Sequence, residues 1–270
     1  MTRAPRGSTS PLGGSERDAA WSLRIREGGL FLLGVVMVVA GWDAAVRVLG
    51  IPPYLFPAPG RILRVAAADG SGLVSDLAIT LLEAGLGWAA GCVAGASLGV
   101  VFSRFRRVER AFAPYFVALQ AVPIVATAPL VIIWFGNGIL SKVVLAAMVC
   151  FFPMLVNCSV GLGQTPQEAL DLMAILGASP RQALWKVRIP YALPHIFSGL
   201  RVTSALSVVG AVVAELAGAT NGIGFRILVA SYRTDTPMLF AAIIAAALGS
   251  VALYQSVLAV EARFLSSRGR

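Results

Sequence analysis

Few residues in this chain have the types and spacing that covalent chemistry requires. Residues 95–99, GASLG, match the G-x-S-x-G pattern in which a sharp turn presents a nucleophilic serine. That pattern needs a strand–turn–helix context and a histidine partner, whereas Ser97 lies in an apolar stretch and His195 is the only histidine. We interpret Ser97 as a small packing residue. An intramembrane enzyme remains an alternative that hydrolysis of a reporter would have to support.

Metal, disulfide and nucleotide chemistry find equally little support in the residues present. One histidine cannot build a His-based metal site or a general-base cluster. An odd number of cysteines within apolar stretches argues against a disulfide framework, so we interpret Cys92, Cys150 and Cys158 as core residues. The chain also lacks the G-x-x-x-x-G-K-[ST] phosphate loop. We therefore expect no metal, no cofactor and no ATP hydrolysis by the chain itself.

The composition indicates a membrane protein. Hydrophobic residues make up 57% of the 270 residues and charged residues only 13%, and the mean hydropathy is +0.81. Soluble domains carry about 25% charged residues. The net charge of +9 comes from basic residues at the ends of apolar segments. Such charges set topology and attract anionic lipid, so they do not indicate nucleic-acid binding.

Six apolar stretches are each long enough to cross a bilayer as a helix. They comprise residues 30–48, 77–102, 111–135, 143–161, 197–217 and 238–260. We therefore predict an all-α polytopic membrane protein with about six transmembrane helices. Because the first stretch is long and lacks a clean cleavage site, we favour an uncleaved helix over a signal peptide.

The distribution of positive charge predicts the orientation of these helices. Lysine and arginine concentrate in the N-terminal tail, in the loop at Arg104, around Arg181 and at the C-terminus. The positive-inside rule then places both termini in the cytoplasm. We predict a disordered tail over residues 1–27, rich in Gly, Ser and Pro, a transmembrane domain over residues 28–265, and a C-terminal tail over residues 266–270.

Small and helix-breaking residues mark two of the predicted spans. Glycines recur at every fourth position of the second span, which allows a neighbouring helix to approach closely. These helix-packing candidates are Gly87, Gly91, Gly95 and Gly99. The third span carries Pro123 and Pro129, which predict a kinked or broken helix. Kinks often lie near a transport pathway, so both prolines are pathway candidates, with simple packing as the alternative.

Two glutamates lie within the predicted spans, and a buried charge in lipid is costly enough to make such residues functional candidates. Glu215 is near the outer end of the fifth span, and we expect it to shape an outer gate or a dimer interface. The alternative is an interfacial carboxylate that reaches water. Glu83 lies in the second span and has the weaker claim to function.

A polar loop over residues about 165–195 interrupts the apolar spans. Thr165-Pro166-Gln167-Glu168 and Ser179-Pro180-Arg181-Gln182 both read as capping boxes with proline at the first helical position. Gly177 stands where a left-handed residue would end the first helix. We predict helices over residues 166–176 and 180–188, the second closed by Pro190. The first should present Leu170, Met173 and Leu176 to a neighbouring part of this chain or to another protein or, alternatively, to the lipid surface.

The loop also resembles a cytoplasmic signature of bacterial binding-protein-dependent ABC importer permeases, E-A-A-x3-G-x9-I-x-L-P. The matching positions keep the glycine and the proline, with aspartate in place of the glutamate. Together with the residue after the glycine, they are the ATPase-coupling candidates that the resemblance implies: Asp171, Leu172, Met173, Gly177, Ala178, Val187, Ile189 and Pro190.

Further stretches extend the resemblance over residues about 55–265 and point to the nitrate/sulfonate/taurine-type branch of these permeases. They are LFPAPGRIL, AVPIVATAPLVIIWFG, SKVVLAAMVCFFPMLVN, YALPHIFSGLRV and AELAGATNGIGF. The resemblance implies type I importer permease architecture in the bacterial inner membrane, with a cytoplasmic coupling helix.

The resemblance further implies partners and a substrate class. Two identical permease chains would form a homodimer in the membrane. Two ATP-binding ATPase subunits and an extracytoplasmic substrate-binding protein would bind to this dimer. The substrate would be a small nitrate-, sulfonate- or taurine-type anion, or a pyrimidine or vitamin-precursor compound. A secondary transporter driven by an ion gradient is the alternative function, although it leaves the cytoplasmic loop unexplained.

Overall fold

The protein is described from a computed structural model, which covers residues 15–266 and contains no β-strand within that range. Its elements are α1 (Ser15–Val48), α2 (Pro59–Ala68), α3 (Gly70–Arg104), α4 (Arg106–Gln120), α5 (Ile124–Phe135), α6 (Ile139–Gly163), α7 (Gln167–Ile175), α8 (Pro180–Ala183), a π-helical turn (Leu184–Arg188), α9 (Ile189–Gly218), α10 (Ile223–Tyr232) and α11 (Thr236–Ser266). The chain divides into two compact units, one ending at Arg61 and the other beginning at Ile62. The predicted all-α fold is confirmed.

The first unit consists mainly of α1. This helix contains the predicted first span, residues 30–48, and its last turn carries an ion pair between Arg47 and Asp43 at 2.7 Å. The predicted disordered tail differs from the structure, because α1 already begins at Ser15. Good helix formers such as glutamate, arginine and alanine follow Ser15. Residues 1–14 and 267–270 lie outside the described part of the chain.

The second unit is built around long apolar helices. Among the described residues, four are long and apolar enough to cross a membrane: α3, α6, the continuous run Pro180–Gly218, and α11 over Thr236–Phe264. The bent pair α4 and α5 would make a fifth. That pair falls on the predicted third span, while the crossing of the membrane by α1 stays a prediction. The polytopic architecture is therefore confirmed with four to five candidate spans.

Close packing of α3 on α6 and α9 forms the centre of this unit. All four glycines of the four-residue repeat are buried on the α3 face that meets α6. At Gly91, an added Cβ would lie 2.9 Å from the Cβ of Cys150, and at Gly99 it would lie 2.8 Å from the Cβ of Cys158. No side chain larger than hydrogen fits there, because the α6 atoms would have to move.

A bend of 96° separates α4 from α5. Pro123 holds the N-cap position of α5 in an extended conformation, and Pro129 lies inside that helix. Proline has no backbone N–H and crowds the preceding turn, which disfavours continuation of α4 through Pro123, whereas α5 accommodates Pro129. The prediction of a kinked or broken third span is confirmed.

The prediction that Pro190 closes the second loop helix is wrong. Helix α8 passes through the π-helical turn directly into α9, so a single helical run extends from Pro180 to Gly218. In this turn the N–H of Ile189 bonds to the carbonyl of Leu184, five residues earlier. The wider turn accommodates Pro190 at the start of α9, where its missing N–H is tolerated.

Candidate functional site

The polar loop between α6 and α9 begins with a helix that lacks the predicted capping box. Helix α7 starts at Gln167 with Pro166 at the N-cap position, and no side chain caps it. Glu168 is therefore the second helical residue, one position short of the place from which it could bond back to the cap. The hydroxyl of Thr165 instead donates to the carbonyl of Leu162 at 3.1 Å, which ties it to the end of α6.

The exit from α7 follows the sequence prediction closely. Gly177 has a φ of +69°, in the left-handed region that favours glycine. Its N–H bonds to the carbonyl of Ala174 at 3.0 Å, and the N–H of Ala178 bonds to that of Met173 at 2.9 Å. This pair of bonds defines a Schellman motif. The turn between the two loop helices is therefore fully hydrogen-bonded.

The second predicted capping box is present and stands immediately after this turn. The Ser179 hydroxyl accepts from the Gln182 N–H at 3.3 Å, and the Gln182 side chain accepts from the Ser179 N–H at 2.7 Å. The Schellman motif and the capping box thus leave no unstructured residue between α7 and α8.

Helix α7 buries none of its residues. Large apolar side chains are exposed along one stripe, with exposed fractions of 56% for Leu172, 83% for Ile175 and 70% for Leu176. Asp171 is exposed and accepts a hydrogen bond from Gln167 at 2.9 Å, whereas Met173 is half-buried. The exposed stripe therefore differs from the predicted face of Leu170, Met173 and Leu176. It keeps Leu176 but has Leu172 and Ile175 in place of Leu170 and Met173.

The remaining coupling candidates lie on the inner side of the loop. Ala178, Val187, Ile189 and Pro190 are half-buried. Leu184 and Ile189 pack against a buried cluster of Cys158, Leu162 and Ala192 at the ends of α6 and α9. Asp171 and Leu172 on α7 are therefore exposed, whereas Met173 and the inner candidates are half-buried, and Ile189 among them packs against this cluster.

A cavity of about 810 Å³ lies at the bend between α4 and α5. Its lining includes Pro123, Gln120, Thr127 and Met148, and none of the described residues that line it is charged. Three rings at this cavity pack together, with centroid distances of 6.1 Å for Phe116–Phe151, 5.9 Å for Phe116–Phe152 and 5.0 Å for Phe151–Phe152. Pro129 and Glu215, the other two pathway candidates, do not belong to this lining.

Glu215 lies in a buried polar cluster, so the alternative of an interfacial carboxylate in contact with water is wrong. Its exposed fraction is 0%. The Thr80 hydroxyl donates to Oε1 at 2.7 Å, and the Gly224 N–H donates to Oε2 at 2.5 Å. Thr80 in turn accepts the N–H of Ile223 at 2.9 Å, and Asp76 Oδ1 accepts that of Gly222 at 3.2 Å. Side chains of α3 and α9 therefore cap three successive N–H groups at the start of α10.

Helix α10 has a second attachment to α3 through Arg226. Its guanidinium pairs with Asp76 at 2.6 Å and with Asp69, which precedes α3. Burial alone lowers the pKa of Arg226, but the hydrogen bonds to Asp69 and Asp76 outweigh burial and raise the pKa above its ordinary value. Arg226 therefore stays charged and holds α10 to α3.

Sequence reasoning missed several residues of this arrangement. Thr80, Asp76 and Arg226 were not singled out, although Asp69, Asp76 and Arg226 are charges at the edges of apolar stretches and could have suggested a pair. Sequence reasoning also missed the inward contact of Arg188 in the loop, whose Nη2 donates to the carbonyls of Ser103 at 3.2 Å and Leu162 at 3.1 Å. No local pattern signals that inward contact.

Comparison with known proteins identifies the family. Residues 89–266 match the family described as "Binding-protein-dependent transport system inner membrane component". The riboflavin transport system permease protein of Chloroflexus aurantiacus is 37% identical over 82% of this chain and 83% of its own length. The formylaminopyrimidine transport permease protein of Halalkalibacterium halodurans is 36% identical over 82% and 88%. The putative aliphatic sulfonates transport permease protein of Bacillus subtilis is 32% identical over 80% and 78%.

A solved structure agrees with the fold. A chain of the inward-facing MetNI methionine ABC transporter superposes with a TM-score of 0.59 at 20% identity, covering 70% of this chain and 96% of that chain. The resemblance stated from the sequence is confirmed, and an ion-gradient transporter is not favoured. The chain belongs to the binding-protein-dependent transport system inner membrane component family, and it is a membrane-spanning permease subunit of an ABC importer.

Proposed function

We propose that this permease couples to a separate ATPase subunit through α7. The observation that carries the proposal is the apolar stripe of Leu172, Ile175 and Leu176 on a helix that buries none of its own residues. Exposed apolar surface of this kind marks an interaction site. The ordered turn at Gly177 supports the same role, because a rigid connection transmits displacement.

The charge of α7 favours a protein partner over the lipid surface. Helices that lie on membranes carry lysine and arginine on their polar face. The sequence of α7, QEALDLMAI, contains the acidic residues Glu168 and Asp171 and no basic residue. Anionic lipid headgroups would repel this helix, whereas a cleft in a partner protein can accept its apolar stripe.

We further propose a complete transporter built around this role of α7. Two copies of the permease, with residues 28–265 as the transmembrane domain, would enclose the pathway, and two ATPase subunits would bind ATP and contact the two α7 helices. An extracytoplasmic binding protein would deliver the substrate. Both termini and α7 would face the cytoplasm of a bacterium, consistent with the concentration of basic residues there.

Binding of the ATPase tests the role of α7. We expect Ile175→Glu to abolish co-purification of the ATPase subunit with the permease, because a carboxylate would be buried without a partner in the cleft. Tyr232→Glu is the matched control, since Tyr232 has a similar exposed fraction of 82% but lies on α10. Retention of the ATPase by the Ile175 variant would exclude α7 as the docking element.

For the substrate, we propose a heteroaromatic, vitamin-type compound rather than a small inorganic or sulfonate anion. The cavity at the α4–α5 bend is lined by phenylalanines and two neutral polar side chains, Gln120 and Thr127, and its described lining offers no cation for an anion to pair with. Its volume falls in the range of about 300–1,000 Å³ usual for small-molecule sites. The riboflavin and formylaminopyrimidine permeases are more similar in sequence to this chain than the sulfonate permease is.

ATP hydrolysis by the reconstituted complex tests the substrate class. Binding protein loaded with riboflavin or with a formylaminopyrimidine should stimulate hydrolysis, whereas taurine, alkanesulfonates and nitrate should not. Stimulation by a sulfonate or nitrate alone would contradict the proposal.

Among pathway candidates, Pro123 would shape the cavity directly, and Pro129 would act through the course of α5.

Glu215 would serve the outer gate by fixing α10. Its carboxylate, together with Thr80 and Asp76, holds the N-terminus of α10 on α3 and α9. A short helix that is anchored at one end is suited to close and open a pathway. Loss of this anchor should leave ATPase binding intact and change uptake, which separates it from the role of α7.

A further inference from the structure

We propose that Arg188 is the positioning residue that links the coupling loop to the cytoplasmic ends of α3 and α6. The proposal deepens the coupling role of α7 and rests on it. Displacement of α7 can switch the pathway only if it reaches the long helices. The loop continues into α9 through the π-helical turn, and the contacts of Arg188 extend this connection to the ends of α3 and α6.

The guanidinium of Arg188 holds two helix ends at once. Its Nη2 donates to the carbonyl of Ser103, in the last turn of α3, at 3.2 Å and to that of Leu162, in the last turn of α6, at 3.1 Å. Carbonyls in the last turn of a helix lack an intrahelical partner and carry the negative end of the helix dipole. A cation is therefore the group best suited to bind both ends together.

The π-helical turn places Arg188 where it can reach these carbonyls. The turn covers Leu184–Arg188 and widens the helix immediately before Pro190. The same turn exposes Trp185 and Lys186 to the outside, while Leu184 packs against the buried cluster around Leu162. Turns of this type occur frequently at functional sites. On the inner side of this turn, the apolar side chain of Leu184 and the charged side chain of Arg188 therefore both contact neighbouring helices.

Two other polar contacts of the loop reach the end of α6 but not α3: Thr165 bonds to Leu162 at 3.1 Å and His195 bonds to Gln164 at 2.7 Å. The bond between Gln167 and Asp171 stays within α7, and the bonds between Ser179 and Gln182 stay within the capping box. These bonds make the loop rigid, whereas those of Arg188 attach it to two other helices. The loop and the ends of α3 and α6 should therefore move as one body when the ATPase displaces α7.

The test uses the complete complex of permease, ATPase and binding protein in liposomes, with riboflavin as the transported probe and formylaminopyrimidine as a second probe. We expect Arg188→Ala to retain the bound ATPase and its ATP hydrolysis while uptake per ATP falls at least about tenfold, within the range usual for coupling between linked sites. Lys186→Ala removes a positive charge from the same turn but from its exposed side, and should match the wild type. Arg188→Lys should restore part of the loss, since an ammonium is a point charge without the planar fork.

Unchanged uptake per ATP in Arg188→Ala would overturn the proposal. So would a loss in Lys186→Ala equal to that in Arg188→Ala, because the effect would then come from losing positive charge in the turn and not from the bonds of Arg188 to Ser103 and Leu162. If the wild-type complex itself fails to bind the ATPase, the coupling role of α7 fails, which is a different result.

A distance measurement covers the case in which Arg188→Ala does not fold. Spin labels at Lys186→Cys and Arg104→Cys, both exposed positions, report the separation of the turn from the end of α3. With Arg188 intact, this distance should be the same in the nucleotide-free and ATP-bound complexes. A distance that changes between the two states would show that the turn moves independently of α3, and the proposal would be wrong.

Discussion

Single residues in this permease are constrained by backbone geometry as much as by side-chain contacts. Gly177 is the clearest case, because its φ of +69° is required for the turn, while the space around its missing Cβ is open within 4 Å. Substitution there should act through backbone strain and not through collision. This separates Gly177 from Gly87, Gly91, Gly95 and Gly99 of α3, where the opposite holds.

We expect Gly177→Ala to weaken the turn by about 1–2 kcal/mol, the cost of a left-handed conformation for an L-residue. We expect Gly177→Arg to abolish uptake while the protein still inserts into the membrane. Uptake and co-purification of the ATPase measure the effect. Gly85→Ala is the control, since Gly85 also has open space around it but lies in regular helix. Normal ATPase binding and uptake in Gly177→Arg would contradict the role of this turn.

For Glu215 we predict an effect through side-chain contacts, because its substitution removes a hydrogen-bond acceptor from buried donors. We expect Glu215→Ala to lower the melting temperature in detergent, because the buried Gly224 N–H would lose its acceptor at a cost of about 1–3 kcal/mol, while the Thr80 hydroxyl would keep only its bond to the Asp76 carbonyl. Glu215→Gln keeps the shape and one acceptor, so its loss should be smaller. Equal melting temperatures for the wild type and the alanine variant would show that the cluster does not hold α10.

Helices in this molecule are positioned by residues that keep them close and by residues that interrupt them. The glycine face of α3 allows contact with α6 at backbone distance, and Pro123 turns the chain between α4 and α5. Both features follow from residue types that can be recognised in the sequence. Their consequence, a cavity beside a tightly packed helix pair, depends on the arrangement of four helices.

The α3–α6 contact should not tolerate a larger side chain. We expect Gly91→Leu to destabilise the folded protein, since overpacking costs about 1–3 kcal/mol or more where backbone atoms lie opposite. Size-exclusion profile and melting temperature in detergent measure this effect. Gly85→Leu, on the same helix but facing open space, should behave as the wild type. A well-folded Gly91→Leu protein would mean that the helices can separate without cost.

At the scale of the whole molecule, sequence patterns predicted the elements better than their connections. Apolar length located the spanning helices, and the glycine and serine of the loop predicted the turn at Gly177 and the cap at Ser179, because these depend on local geometry. The continuation of α8 into α9 was missed, since a π-helical turn before Pro190 has no local signature. The buried position of Glu215 and the inward contact of Arg188 also depend on partners more than 20 residues away, as with Thr80 and Ser103.

The most direct test of the coupling role is uptake by proteoliposomes that contain the permease, its ATPase and its binding protein. Our proposal predicts uptake only when all three proteins and ATP are present, and no uptake when Ile175→Glu replaces the wild-type permease. Uptake that persists without the ATPase and follows an imposed ion gradient would contradict it.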